Sequence, residues 1–427
     1  MSLVVVEHVS EDLDSSLNRI FSFFGGVESL TKGKEGVYIK INAVDFRKHS
    51  YTSPEVIGAA VRLFRDAGVK VYVMDNSTQG NMTRLVFKVT GIDRVVKENG
   101  GRCLYLDEQP PVKVRIGEDG YAVELPKVVY EKLIKERDEN LYVALPKLKT
   151  HSMTTVTLSV KGQMGLLHHN SRRERHNYML HQFLVDVYRF IRPDFAIIDG
   201  LTAVVHGHYP LEKMLDRFLV PMNVLIGGGD AVAVDTVGAK ILGYSLEEVE
   251  HLKLADEQGL GYGHLSKIKI VGDISMFKEK YPKNPLGVLP EEVKVIKGRE
   301  MACIEGCLGN TLMVLEMLHV DHGAHAPFTI VCGKGVDMNE IEKATPPVLI
   351  VGPCALEETA MYFKRKFGED KVLTTDKCND LAKVTSHLMK LTGVKATQIV
   401  PLNPLETLAT LLKAKLHGSR ANIPPIL

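Results

Sequence analysis

Residues 141–170 read LYVALPKLKTHSMTTVTLSVKGQMGLLHHN. The run opens with five apolar-rich residues, Leu141–Leu145, in the pattern of a buried strand, and Pro146 breaks it. Lys147, Lys149, Thr150, His151, Ser152, Thr154, Thr155, Thr157, Lys161 and Gln163 follow, with apolar residues between them. An ordinary solvated loop would not alternate in that way. Basic and hydroxyl side chains placed where a buried strand ends suit an anion, so the rest of the chain is expected to build walls around this stretch. The Thr/Val alternation of 154–160 predicts a further strand.

Upstream, VYIKINAV (37–44) alternates and ends in polar residues. Ser53-Pro54-Glu55 is a helix start, with the serine positioned to cap and proline as first helical residue. Val56, Ala59, Ala60, Leu63 and Phe64 give that helix an apolar face, Gly68 ends it, and KVYVMD (70–75) is the next strand. Strands separated by helix-length crossovers indicate a parallel sheet. Ligands of such sheets gather beyond the carboxyl ends of the strands. Asn42 and Asp75 fall there as cleft candidates, although Asp75 and Ser77 equally suit caps of the following turn. Residues 11–30 read as one amphipathic helix ending near Gly25-Gly26. Downstream, FAIID (195–199) runs into Asp199, and MNVLIGGGD (222–230) ends in three glycines and Asp230. The GGGD run has neither the Walker lysine nor a dinucleotide fingerprint and supports only a tight turn or close backbone approach. Asp235, early in the next helix, suits that helix's dipole.

A chain of 427 residues exceeds one simple core, and two domains are expected. The reading is α/β, with a mixed, mainly parallel sheet in 1–290 and a second, smaller α/β domain in 297–427, joined through a Lys- and Pro-rich linker at 275–293. The tail ANIPPIL (421–427) reads as a surface or docking strand. Lys plus Arg number 53 against 52 acidic residues, so no global charge steers the chain to nucleic acid. Arg172, Arg173 and Arg175 form a local basic patch without interleaved aromatics, which makes nucleic acid an unfavoured partner. No stretch approaches the roughly 20 apolar residues of a membrane span. MSLVVVEHVS reads as a first strand and not a signal peptide, so the cytoplasm is the expected compartment. Assembly into a homo-oligomer stays open.

Five of the six cysteines, Cys303, Cys307, Cys332, Cys354 and Cys378, lie in the last 125 residues, and Cys103 stands apart. Three C-terminal strands each end near a cysteine. Parallel strands deliver their ends to one edge, so Cys303, Cys307, Cys354 and Cys378 form a candidate metal set for a [4Fe–4S] cluster, with Cys332 as a substitute. Zinc, a redox thiol at Cys354, and inert buried thiols without any cofactor are the alternatives.

Three further sites can be drawn from residue chemistry. Lys147, Lys149 and Lys161 would supply positive charge for an anion and Thr150, Ser152 and Thr157 donors, with Arg172 and Arg173 closing over it. His151, Lys149 and Lys161 form the catalytic candidates: His151, with His168 or His169, would carry the proton, kept neutral by the nearby lysines, and Asp199 or Asp230 could orient it. A structural histidine bonding the backbone is the plainer alternative. His169, His206, His208, Asp199 and Asp230 could instead ligate zinc, iron or nickel, although H-x-H in a Gly-rich loop is a weak signal.

The segment PKLKTHSMTTVTLSVKGQMGLL, through Pro146, Lys147, Lys149, Thr150, His151, Thr157, Leu158, Lys161 and Gly165, resembles a prokaryotic family catalogued as domain of unknown function 362. Asp199-Gly200 followed by IGGGDAVAVDTVGAKILG (226–243) is similar to a second, weaker motif in the same order, and the likeness spans roughly residues 35–275. The resemblance implies redox or metal-linked company, since family members often carry ferredoxin-type iron–sulfur modules. This chain lacks their compact cysteine run, and no substrate is implied. The expectation is an enzyme of redox or isomerising chemistry on a small anionic metabolite, or alternatively a protein that binds or delivers a metal or cluster.

Overall fold

The apolar run that opens residues 141–170 is buried along its whole length, as is the run at 36–41, because helices cover both faces of the sheet they share. The structure is a computed structural model describing residues 1–10 and 12–422. In chain order its first strands are β1 (Ser2–His8), β2 (Gly36–Ile41), β3 (Lys70–Asp75), β4 (Arg102–Tyr105), β5 (Pro111–Ile116), β6 (Tyr121–Pro126), β7 (Asn140–Leu145), β8 (Lys147–His151), β9 (Thr155–Thr157), β10 (Phe195–Val204), β11 (Leu219–Gly228) and β12 (Ile268–Val271). The main path of the large sheet runs β12-β1-β11-β10-β7-β2-β3-β4, and β8 and β9 branch from β10. Pairing is parallel from β10 through β4, whereas β11 is antiparallel to both β10 and β1. β5 and β6 form a separate hairpin.

A smaller sheet follows, made of β13 (Val293–Lys297), β14 (Phe328–Cys332), β15 (Val348–Val351) and β16 (Val372–Thr375), all parallel and in chain order. Each sheet has its own apolar core on both faces. The fold is therefore mixed α/β, with a large, mainly parallel sheet and a separate smaller one. Across the seam between them, Arg47 pairs with Asp321 at 2.5 Å and both side chains are buried.

Pro146 ends β7 but does not turn the chain away. β7 pairs with β10 at Phe195 and Ala196, and β8 rejoins the same strand further on, with Lys147 opposite Asp199. All five residues of β8 are buried.

Five local expectations change in the fold. Residues 11–30 hold two helices, Leu13–Ser22 and Val27–Thr31, separated at Gly25 and Gly26, whose φ of +85° and +84° break the first helix. The strand expected over 154–160 shortens to β9, and a helical turn, Ser159–Gly162, replaces its end. The cause is Asp235, whose carboxylate accepts the Ser159 and Val160 N–H groups at 2.8 and 2.7 Å. Asp235 thus caps a neighbour instead of its own helix. Ser53 does not cap with its hydroxyl, because that oxygen accepts from Lys147 Nζ at 2.8 Å. Of the tail expected as a strand, Ala421 and Asn422 belong to no strand, and 423–427 lie outside the described residues.

Candidate functional site: a basic, histidine-lined cavity at the seam

The lysines of β8 are consumed by the fold. Lys147 is fully buried, and its ammonium contacts Asp199 at 3.0 Å and Ser53 Oγ at 2.8 Å. Asp199 also accepts the Ser53 and Leu201 N–H groups, so it balances Lys147 and does not orient a histidine. Lys149 donates to the Ser50 carbonyl at 2.6 Å, and burial, with Lys161 nearby, holds its amine well below the ordinary lysine value. Thr150 accepts the Gly207 N–H and donates to the Pro282 carbonyl, tying the 206–208 loop to the inter-sheet connection.

Lys161 behaves differently. It stands on the Ser159–Gly162 turn, half-buried, and makes no hydrogen bond or ion pair among the described residues. It faces a small cavity whose wall also includes His151, Arg172, His176, His208, Tyr209, Asn310 and Asn379. The last two come from the smaller unit, so the cavity lies at the seam. Burial, helped by the Arg172 and Lys40 charges, pushes the Lys161 amine down to about 8.

The histidines present different faces to this space. The His151 ring stacks on His208 with centroids 3.8 Å apart. Its Nδ1 accepts the Met153 N–H at 3.1 Å and lies 3.4 Å from that of Thr154, so the neutral ring carries its proton on Nε2. Burial, then His208 and Lys161, keeps His151 well below the ordinary histidine value. His176 has the opposite tautomer: Nδ1 must donate to the Glu305 carbonyl, which leaves the Nε2 lone pair free. Burial and Lys161 push His176 down to about 4. The expectation of His151 as a neutral base is thereby revised: it is neutral, but what it offers is a donor, and the acceptor is His176.

Arg172 lines the cavity while stapling its floor. Its guanidinium donates to the carbonyls of Leu167, Ser77 and Asn76, each at 2.9 Å. Arg173 leaves the site and approaches Asp380 of the smaller unit at 3.8 Å. Asp75 sits behind the wall, paired with Lys40 at 2.6 Å and accepting the Ala43 and Asn76 N–H groups. Gly165 is pressed against that pair: a Cβ there would lie 2.5 Å from Lys40 Nζ and 2.6 Å from Asp75 Oδ1. Asn42 is buried with its Oδ1 unpartnered and is not among the cavity residues.

The proposed histidine–carboxylate metal set does not assemble. His169 Nε2 donates to the Ser77 carbonyl at 2.9 Å, His206 Nδ1 turns to the Asn284 carbonyl at 3.2 Å, and Asp230 caps the Ala231–Ile241 helix through the Val232 and Ala233 N–H groups. His208 alone of that group reaches the cavity. Among the described residues no three His, Cys, Asp or Glu side chains are grouped so as to hold a metal ion.

Cysteines nevertheless crowd the adjoining edge of the small sheet. Burial raises the Cys307 thiol to about 11, and Cys378, Cys303 and Cys354 add to that rise. The Cys303 thiol is likewise raised, by burial and then by Glu305, Cys354 and Cys378. Cys307 Sγ lies 3.5 Å from the Asn379 N–H, one residue beyond Cys378, and a Cβ on Gly352 would come within 2.8 Å of it. Asn379 and Asn310 in turn bond each other at 2.6 Å in the cavity wall. Cys332 ends β14 fully buried, and Cys103 belongs to the far side of the large sheet. All six cysteines are free thiols.

His176, Tyr209, Asn310 and Asn379 escaped sequence reading. Of the other cavity residues, His208 was marked only by its H-x-H spacing, and His151, Lys161 and Arg172 by residue type. The two asparagines sit on helical and turn segments of the other unit, where nothing local marks them as cavity-facing.

No helix among the described residues is long and apolar enough to cross a membrane. A thylakoid-associated protein, sll1697, of Synechocystis is 28% identical over 242 residues, covering 53% of this chain and 69% of that protein. Residues 37–240, which include β8, the Lys161 turn and every cavity histidine, match a described family, and over that span the chain belongs to the one termed "Domain of unknown function (DUF362)".

Proposed function

We propose that this chain is an enzyme that binds a small anionic metabolite in the seam cavity and moves a proton on it, in isomerising or redox chemistry. One observation carries the reading: an unpaired Lys161 ammonium faces the same cavity as two histidines of opposite tautomer. Lys161 would hold the carboxylate or phosphate, since an amine near 8 is mostly charged at neutral pH. His176 Nε2 would accept a proton from the substrate, and His151 Nε2–H would donate to an oxygen on the opposite side. An anion bound at Lys161 would raise the His176 value towards neutrality, because the bound charge favours imidazolium.

Cys303, Cys307, Cys354 and Cys378, whose charges act on one another, are the residues that would hold a [4Fe–4S] cluster or a zinc ion. A cluster there would supply an electron beside the cavity wall. A non-enzymatic reading, as a protein that binds or delivers a metal or cluster, draws on the incomplete burial of Cys303, Cys354 and Cys378. Six free thiols fit the reducing cytoplasm.

The test measures inorganic phosphate and small carboxylates binding to wild type and Lys161→Met by calorimetry, and solvent deuterium entering bound carboxylates with wild type and His176→Asn. Binding lost in Lys161→Met and exchange lost in His176→Asn support the enzyme. Equal binding by both proteins overturns it. Iron and sulfide analysis of protein purified without oxygen decides the cluster separately, and iron without any anion binding would favour delivery.

A further inference from the structure

The basic cavity has an apolar neighbour. An apolar chamber lies against it, and the two share Thr78, Gln79, Tyr209 and Leu381 as walls. The chamber's lining is overwhelmingly apolar, and it is built by both units. Phe46, Leu85 and Tyr209 are among those from the large one, and the helices Cys307–His322, Leu381–Thr392 and Pro404–Leu416 contribute from the other side together with Ile399 and Val400. Met313, Met317 and Met389 are among the lining residues. Methionine is unbranched and soft, so a wall rich in it adapts to flexible chains.

Two charged side chains interrupt the lining, besides the neutral polar Thr78, Gln79, Asn81, Thr385 and Thr407. Asp45 and Arg47 reach its edge, but Arg47 is committed to Asp321, and Asp45 is buried, with one carboxylate oxygen accepting its neighbour Phe46's N–H and an Asn81 amide N–H. Neither offers a free charge to a ligand in the chamber. Charge for an anion is found on the other side of the shared wall, at Lys161.

From this adjacency we infer that the substrate is an amphiphilic anion. Its carboxylate or phosphate sits at Lys161, and an alkyl, acyl or isoprenoid tail passes Tyr209 into the methionine-lined chamber. The inference deepens the proposed function and rests on it for the head group. The tail alone is new. Tyr209 stands at the junction with its ring beside His208, at 4.3 Å between centroids, where it would contact the first carbons beyond the head.

The experiment is a chain-length series of n-alkyl carboxylates and n-alkyl phosphates, from two to twelve carbons, titrated calorimetrically below their micelle-forming concentrations. Transfer of one methylene from water to an apolar site is worth roughly 0.8 kcal/mol, a gain of about fourfold in affinity per carbon. The expected result is that rise over several carbons and then a plateau. Met317→Trp, which fills the chamber, should flatten the rise while leaving acetate and inorganic phosphate binding unchanged. Ile399→Trp, at another wall, serves the same purpose should the first variant fail to fold. Affinity independent of chain length, with short anions still bound, overturns the tail and leaves the head-group site standing. A rise that persists unchanged in both folded tryptophan variants also overturns the chamber, since the chains would then bind elsewhere. Failure of every anion, short or long, overturns both readings together.

Discussion

Lys147 and Lys161 lie fourteen positions apart in one motif, and the molecule uses them in opposite ways. Lys147 is sealed in β8 with a carboxylate and a hydroxyl for company. Lys161 stands on a helical turn with no acceptor among the described residues and an open cavity in front of it. Burial of a charge is tolerable when it is paired, so Lys147 belongs to the architecture. An unpaired, half-buried ammonium is costly and persists where a ligand supplies the missing anion. Of two lysines with the same chemistry, the one the fold leaves unsatisfied is the candidate for function.

The sharpest way to break that contrast is Lys147→Met. It strands the Asp199 carboxylate in the core and should cost about 3–5 kcal/mol of stability in urea unfolding, with much of the loss recovered in Lys147→Met/Asp199→Leu. A loss under about 1 kcal/mol would mean that the pair is not structural. Gly165→Ala should cost about 1–3 kcal/mol, because its methyl would drive into the Lys40–Asp75 pair. An unchanged thermal midpoint would show that this pair yields easily.

Lys161→Met should leave stability within about 1 kcal/mol of wild type, or raise it, while weakening anion binding by roughly tenfold or more, the value of a charge-assisted hydrogen bond. Equal damage to folding would place Lys161 with Lys147. The smallest effect is a pH profile. With the Lys161 amine near 8 in the free protein, anion affinity should hold at neutral pH and decline as pH rises through about 8, since the ammonium that attracts the ligand is lost. Lys161→Arg should move that limb to higher pH, and a limb that stays in place would assign it to another group.

The histidines give a complementary stability signal. His168 and His176 are held near 4, and His169 near 3, all depressed chiefly by burial. The unfolded chain therefore takes up protons first as pH falls below about 6.5. Stability present above that value should decline steadily towards pH 4, visible as a falling urea midpoint, and a flat midpoint would show that these rings remain hydrated.

Strand–helix–strand spacing from Gly36 to Asp75, and the apolar run before Pro146, sufficed to predict a mainly parallel α/β sheet, and the three short apolar runs that end near cysteines a second, smaller unit, because buried parallel strands leave a continuous apolar record. The same stretch marked Lys161 and His151 as chemistry-bearing by residue type. Tertiary structure alone decided which cation stays free, since that depends on where Asp199 and Ser50 arrive from distant segments. It also decided the tautomers of His151 and His176, through a backbone N–H and a carbonyl that no side-chain pattern encodes. The cavity itself exists only because two units meet, and a seam between separately folded cores leaves no period in the sequence.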